Sequence, residues 1–166
     1  GNFSTSQIGD TENATGKTKK MRWVGKLTDY KGPVKNGKPN GRGIATDASI
    51  RALMMGEKRC SASGNFVNGR LEGYGREVRS WSEYVGEFVN GWWEGRGELT
   101  FFDNDYNSDY LGKISSILKA NFKQGLADGF CTIDYQNSAA YKFTGPVKNG
   151  IIEGTGEIEF LDGSKL

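Results

Sequence analysis

Glycine spacing is the sequence feature that most constrains how this chain of 166 residues can fold. The pattern is glycine, four residues, glycine, three residues, glycine, one residue and glycine, and it recurs in five registers. These registers are YKGPVKNGKPNGRG (30–43), ASGNFVNGRLEGYG (62–75), YVGEFVNGWWEGRG (84–97), LKANFKQGLADGFC (118–131) and FTGPVKNGIIEGTG (143–156). A recurrence of this kind predicts a repeat protein in which similar units stack side by side.

Each register has the chemistry of a β-hairpin. In YVGEFVN, the residues Tyr84, Gly86 and Phe88 share one parity, which is typical of a strand with two distinct faces. Asn-Gly, or Gln-Gly in the fourth register, follows each first strand and predicts a tight turn. Paired glycines leave room for an aromatic ring to lie across the backbone. Because a single hairpin cannot bury its apolar face alone, we expect an all-β, elongated, single-layer antiparallel sheet of stacked hairpins.

The run YVGEFVNGWWEGRGELTF resembles the membrane occupation and recognition nexus (MORN) repeat, whose pattern is Y-x-G-x-x-x-x-G-x-x-x-G-x-G. The resemblance extends over roughly residues 23–166 and includes a partial copy at WVGKL (23–27). It departs from the pattern at Ala62, Leu118, Ala120 and Cys131. The resemblance implies a trough-like sheet that acts as an assembly scaffold or accessory module, with phospholipid binding proposed for some members.

The repeats divide the chain into a leader and a repeat domain. Residues 1–20 are rich in Ser, Thr, Asn, Gly and Lys, so we expect a flexible N-terminal tether there. Residues 21–166 form the predicted MORN-repeat domain. Its units are predicted near 30–46, 62–78, 84–101, 118–135 and 143–160, with inserts at 47–59 and 102–113.

The two inserts carry their own patterns. In the first, Ile50, Leu53 and Met54 have helical spacing, which indicates either a cap over the sheet or a Met-rich binding surface. The second places Asp103 and Asp105 in an alternating acidic run like the first half of a calcium loop. It lacks the glycine and the glutamate that such a loop requires, so we favour a solvated acidic loop and predict no metal site.

Composition excludes several classes of function. The chain has no histidine and two cysteines, which leaves no His-based triad, no His metal site and no four-thiolate centre. Its net charge of +2 is too small to indicate nucleic-acid binding. Carboxylates recur in register at Glu72, Glu94, Asp128 and Glu153, and we interpret them as acceptors for turn amides rather than as a catalytic pair. We therefore predict no enzyme activity, no catalytic residue and no cofactor.

Two sets of apolar side chains are candidate binding residues. The third unit concentrates aromatic residues, namely Trp81, Tyr84, Phe88, Trp92 and Trp93. These rings would either stack on sugars or lipid headgroups or fill the core. The hairpin loops align apolar residues along one edge, among them Leu71, Trp93, Ile151 and Ile152. That row would either form an exposed patch for a partner or fold back over its own hairpins.

The favoured function is a non-enzymatic interaction scaffold that binds a protein partner through its concave face or its loop edge. A module for glycan or phospholipid headgroups, or an accessory segment of a larger enzyme, stays open as an alternative. The polar leader favours an exported or membrane-tethered location over the cytoplasm.

Two further expectations concern the edges and the thiols. The strand that carries Ile158 and Phe160 is predicted to have an unpaired outer edge, where either a second copy of the chain or an extended segment of a partner would pair. Cys60 and Cys131 are predicted on strands at least about four spacings apart, about 19 Å, so we expect no disulfide between them.

Overall fold

The computed structural model describes residues 29–46, 60–79, 82–103, 114–136 and 141–166. These residues contain strands and turns and no helix. The strands are β1 (Asp29–Lys31), β2 (Val34–Lys35), β3 (Lys38–Pro39), β4 (Gly41–Thr46), β5 (Ser61–Val67), β6 (Arg70–Val78), β7 (Ser82–Val89), β8 (Trp92–Phe102), β9 (Ile114–Lys123), β10 (Leu126–Tyr135), β11 (Tyr141–Lys148), β12 (Ile151–Ile152) and β13 (Glu157–Phe160).

Eleven of these strands form one antiparallel sheet that does not close on itself. Its order is β1-β4-β5-β6-β7-β8-β9-β10-β11-β12. Strand β13 also pairs with β11, at residues of β11 that β12 does not reach. Strands β2 and β3 pair separately as a short hairpin. The predicted all-β, single-layer sheet of stacked hairpins is therefore confirmed. The expectations for the 1–20 tether and the 47–59 insert lie outside the described residues, as does most of the acidic loop, of which only the exposed Asp103 is described.

The hairpin turns have the geometry that their sequences predict. The first turn residue has a positive φ in every hairpin: Asn36, Asn68, Asn90, Gln124 and Asn149 all lie between 49° and 53°. The glycine that follows each of them also has a positive φ. Two consecutive positive φ angles define the tight turn that suits the twist of a β-hairpin.

Paired glycines make room for aromatic rings, as predicted. Gly86 and Gly97 face each other on neighbouring strands, and a Cβ atom built on either of them would collide with the ring of Tyr84. Phe143 occupies the same place over Gly145 and Gly156 near the other end of the sheet. The Tyr84 hydroxyl donates a hydrogen bond to the carbonyl oxygen of Glu87 at 2.9 Å, which fixes the ring across the backbone.

The sheet has two different faces. We call the face that carries the ring-bearing core the aromatic face, and its buried centre includes Phe66, Tyr84, Phe88, Trp93 and Phe122. Residues of the opposite parity point to the other side, which we call the open face. The second glycine of each Gly-x-Gly lies on the aromatic side beneath a ring, so the residue before it points to the open face.

Hydrogen bonds between loops join successive hairpins. The turn glycine of each hairpin donates its backbone N–H to a carbonyl oxygen in the loop of the hairpin before it. The four bonds run from Gly69 to Pro39 (2.8 Å), from Gly91 to Leu71 (2.9 Å), from Gly125 to Trp93 (2.9 Å) and from Gly150 to Ala127 (2.8 Å). Each of these loops therefore accepts a backbone hydrogen bond from the hairpin that follows it.

The row of carboxylates reinforces these loop contacts. Oε1 of Glu72 accepts the backbone N–H of Asn90 at 2.7 Å, and Oε2 of Glu94 accepts that of Gln124 at 2.9 Å. In the first hairpin, Oδ1 of Asn40 accepts a backbone N–H in the same way, at 3.3 Å. The prediction that these acids bind turn amides is confirmed for Glu72 and Glu94, and the amides belong to the following hairpin.

The prediction of an unpaired outer edge at Ile158 and Phe160 is wrong. Ile158 and Leu166 exchange backbone hydrogen bonds of 3.0 and 2.8 Å, and the Phe160 N–H donates to the carbonyl oxygen of Ser164 at 2.9 Å. The chain turns back here because the Asp162 carboxylate accepts hydrogen bonds from both the backbone N–H and the hydroxyl of Ser164. A second copy cannot pair along this edge without displacing residues 164–166.

Cys60 and Cys131 form no disulfide with each other, as predicted. Cys131 is buried on β10, and Cys60, which precedes β5, is half-buried. Five strand spacings separate β5 from β10 in the sheet order, so the two thiols lie far outside disulfide range.

Candidate functional site

The aromatic residues of the third unit form the core instead of a surface platform. Tyr84 and Trp93 stack with ring centroids 4.4 Å apart and an interplanar angle of 4°, and Phe122 packs edge-on against both. Phe88 is also buried. Trp92 lies on the strand parity of the open face and is half-buried, and Trp81 lies outside the described residues. The core-filling interpretation therefore holds for Tyr84, Phe88 and Trp93.

The predicted row of exposed apolar loop residues is interrupted. Leu71 and Trp93, near the starts of β6 and β8, are buried because their side chains belong to the core of the aromatic face. Ile151 and Ile152, in the last of the described hairpins, are exposed at 68% and 46%. Of the two alternatives for this row, the structure buries Leu71 and Trp93 and leaves Ile151 and Ile152 exposed.

A charged cluster closes the core beside Trp93. The Trp93 indole Nε1 donates to Oε2 of buried Glu77 at 3.0 Å, and Nη2 of Arg79 lies 3.6 Å from the same oxygen. The Arg79 guanidinium sits 4.4 Å from the centroid of the Trp93 ring. Burial lowers the pKa of Arg79, and the charge of Glu77 opposes that shift. Burial likewise raises the pKa of the Tyr84 phenol, with a smaller contribution from the charge of Glu77.

A groove crosses the open face. Two adjoining hollows of about 530 and 360 Å³ share Tyr74 and Val85 in their walls, and together they run from Arg42 on β4 to Thr144 on β11. Tyr74 and Phe130 stand in the groove with 70% and 69% of their surface exposed. Two exposed rings in the walls of one groove make it a candidate surface for contact with a partner.

Charge on the open face is partly neutralised. Nε and Nη2 of Arg76 bind the Glu83 carboxylate in a bidentate pair at 2.9 and 3.1 Å, and that hydrogen bonding raises the pKa of Arg76. Arg42, Arg96 and Lys119 form no ion pair among the described residues. The groove therefore offers the cationic side chains of Arg42, Arg96 and Lys119, together with the Glu98 carboxylate, beside two exposed rings.

The sequence analysis did not single out these groove residues. Arg42, Tyr74, Arg96 and Phe130 are each the residue between the last two positions of the repeat pattern, next to glycine. The Gly-x-Gly pattern does carry this information, because a ring over the second glycine forces the residue before it to the opposite face. It was not used, because parity alone does not tell which face is buried.

Neither a metal centre nor a membrane-spanning helix is found in the described ranges. No three Cys, Asp or Glu side chains there come together in a group that could hold a metal ion. No helix there is long and apolar enough to cross a bilayer.

An open sheet of stacked hairpins with a grooved face defines a class of non-catalytic repeat modules. The family profile described as the MORN repeat matches residues 30–49, 63–81, 84–106 and 119–139, which together make up half of the chain. The chain belongs to the MORN repeat family, whose repeats generally serve as interaction or membrane-binding modules. No curated protein matches the chain in sequence. The fifth hairpin lies beyond the last match but has the same turn and the same glycine pair beneath a ring.

Proposed function

We propose that the chain is a non-enzymatic interaction scaffold that binds a protein partner in the groove of the open face. The observation that carries this proposal is the exposure of Tyr74 and Phe130 inside the groove. The rings first considered for binding, Tyr84 and Trp93, are unavailable because they hold the hairpins together. Exposed rings flanked by polar groups are typical of the residues that contribute most to protein interfaces.

The experiment is a selection of peptides from a display library of protein segments, using the folded chain as bait. The matched comparison is a Tyr74→Ala/Phe130→Ala double variant, with Leu161→Ala/Leu166→Ala as a control because both control residues are also exposed but lie outside the groove. We expect peptides that the wild type and the control retain and the groove variant loses. Selected peptides that bind all three proteins equally would contradict the proposal.

A second candidate is a module for phospholipid or glycan headgroups. The unpaired Arg42, Arg96 and Lys119 favour it, because phosphate and uronate groups need cationic partners. Sedimentation with vesicles that contain phosphatidylinositol phosphates, and binding to a glycan array, would support this reading if Arg96→Glu abolished the signal. Service as an accessory segment of a larger enzyme, and an exported or tethered location, remain further proposals that rest on the sequence.

A further inference from the structure

We propose that the partner segment is a proline-rich polypeptide in the polyproline II conformation, with acidic residues at regular spacing. This inference rests on the proposed function, because it names the kind of protein segment that the groove accepts. It begins from one row of side chains on the open face. Arg42, Tyr74, Arg96 and Phe130 lie on β4, β6, β8 and β10, which are alternate strands of the sheet.

The row alternates cation and aromatic ring with a fixed step. All four residues line the groove, and all four occupy the same place in the repeat pattern. Alternate strands of a sheet lie about 9.4–9.8 Å apart, since one spacing is about 4.7–4.9 Å. The row therefore presents one side chain about every 9.6 Å, with like chemistry repeating at about twice that distance.

The step matches one conformation of a bound chain better than the others. A polyproline II helix has three residues per turn and rises about 9.3 Å per turn, so every third residue meets the next member of the row. A β-strand alternates faces at each residue, so its every third residue points away. Two turns of an α-helix rise about 10.8 Å. This rise exceeds the spacing of the row by about 1 Å, and the mismatch accumulates at each hairpin.

The chemistry of the row sets the sequence of the ligand. A residue opposite Arg42 and the residue six positions later, opposite Arg96, should be acidic, because neither guanidinium has an ion pair among the described residues. The residues opposite Tyr74 and Phe130, three positions after each acid, should be proline. Proline rings pack on exposed aromatic side chains, and a preformed polyproline II helix loses little entropy when it binds.

The test uses synthetic twelve-residue peptides and fluorescence anisotropy. The matched peptide has glutamate at its first and seventh positions and proline elsewhere. The control peptide has the same composition, with the second glutamate moved one position earlier, which turns that carboxylate to a different side of the helix. We expect the matched peptide to bind at least about tenfold more tightly than the control. Equal affinity for the two peptides would overturn the inference.

Variants of the protein locate the binding row. Tyr74→Ala and Phe130→Ala should each weaken binding by roughly fivefold or more, since exposed ring contacts of this kind are dominant in comparable interfaces. Arg96→Glu should abolish binding, and a peptide with lysine in place of the second glutamate should restore it. Lys123→Glu makes the same change of net charge on the same face outside the groove, and it should have a much smaller effect. If Lys123→Glu weakened peptide binding as much as Arg96→Glu does, the effect would be one of general electrostatics. That result would contradict the proposal that the row of four side chains binds the peptide.

The outcomes separate this inference from the function on which it rests. If library peptides bind through Tyr74 and Phe130 but carry neither proline nor acids at these spacings, the polyproline inference fails and the groove remains a protein-binding site. If no peptide depends on the groove, both fail. All the variants replace residues with exposed side chains, and a thermal melt of each one verifies that it is folded.

Discussion

The backbone N–H of Asn90 donates a 2.7 Å hydrogen bond to Oε1 of Glu72, across the boundary between two hairpins. This contact links a turn to the loop of the preceding unit, beside the backbone bond from Gly91 to Leu71. Glu72 is therefore a structural residue, although its place in a regular row of carboxylates first raised the question of catalysis.

Replacing Glu72 by alanine should lower the free energy of unfolding by about 1 kcal/mol, because the substitution removes a charge-assisted hydrogen bond to a turn amide. For a domain of this size the melting temperature should fall by roughly 2–4 °C. Glu98→Ala is the control, since Glu98 is exposed and forms no hydrogen bond or ion pair among the described residues. Equal melting temperatures for the two variants would show that the contact contributes nothing.

The ring of Tyr84 and the glycine beneath it should be coupled. Gly97→Ala places a Cβ atom against that ring, and it should destabilise the fold by roughly 1–3 kcal/mol through overpacking. In a Tyr84→Leu background the added penalty should be small, because the flat ring is gone. Denaturant unfolding of the four proteins in this double-mutant cycle measures the coupling, and additive effects would contradict it.

The fourth unit already contains this combination. Ala120 takes the place of a glycine there, and Leu118 takes the place of the leading aromatic residue. Both pack against the core. The departures from the repeat pattern therefore compensate each other in the same unit.

Acidification should open the C-terminal turn before the rest of the sheet. Hydrogen bonds from Ser164 lower the pKa of Asp162 relative to the unfolded chain. A lowered pKa means that the turn is stabilised above the unfolded pKa and that this stabilisation is lost as the pH falls through the folded pKa. The amide resonance of Ser164 should report that loss in an NMR titration. In Asp162→Asn, the pH-dependent change should vanish, and its persistence would assign the titration to another group.

The two thiols should react at different rates. Burial raises the pKa of Cys131, which keeps it as an unreactive thiol, whereas Cys60 is half-buried. We expect iodoacetamide to modify Cys60 first in the native protein and both cysteines in denaturant. Mass spectrometry under non-reducing conditions should find two free thiols, and early labelling of Cys131 would mean that β10 opens readily.

The hairpins could be predicted from the sequence because their determinants are local. Asn90 and Gly91 fix a turn through their own φ angles, and the paired Gly86 and Gly97 indicate that an aromatic ring lies over the backbone. Burial of Leu71 could not be predicted in the same way, since it depends on packing with core side chains from several strands. Assigning Tyr74 and Tyr84 to opposite faces likewise required the structure, because both are tyrosines near glycines on neighbouring strands.

The loop contacts also give the array a direction. Each loop carbonyl, such as that of Leu71, accepts a hydrogen bond from a glycine that is synthesised later, in this case Gly91. A hairpin that has emerged from the ribosome thus already presents the acceptors on which its successor docks, and nearest-neighbour contacts of this kind form without waiting for distant segments. We therefore expect that folding can propagate from the N-terminal hairpin towards the last as the chain is synthesised, with each finished unit presenting the acceptors for the next.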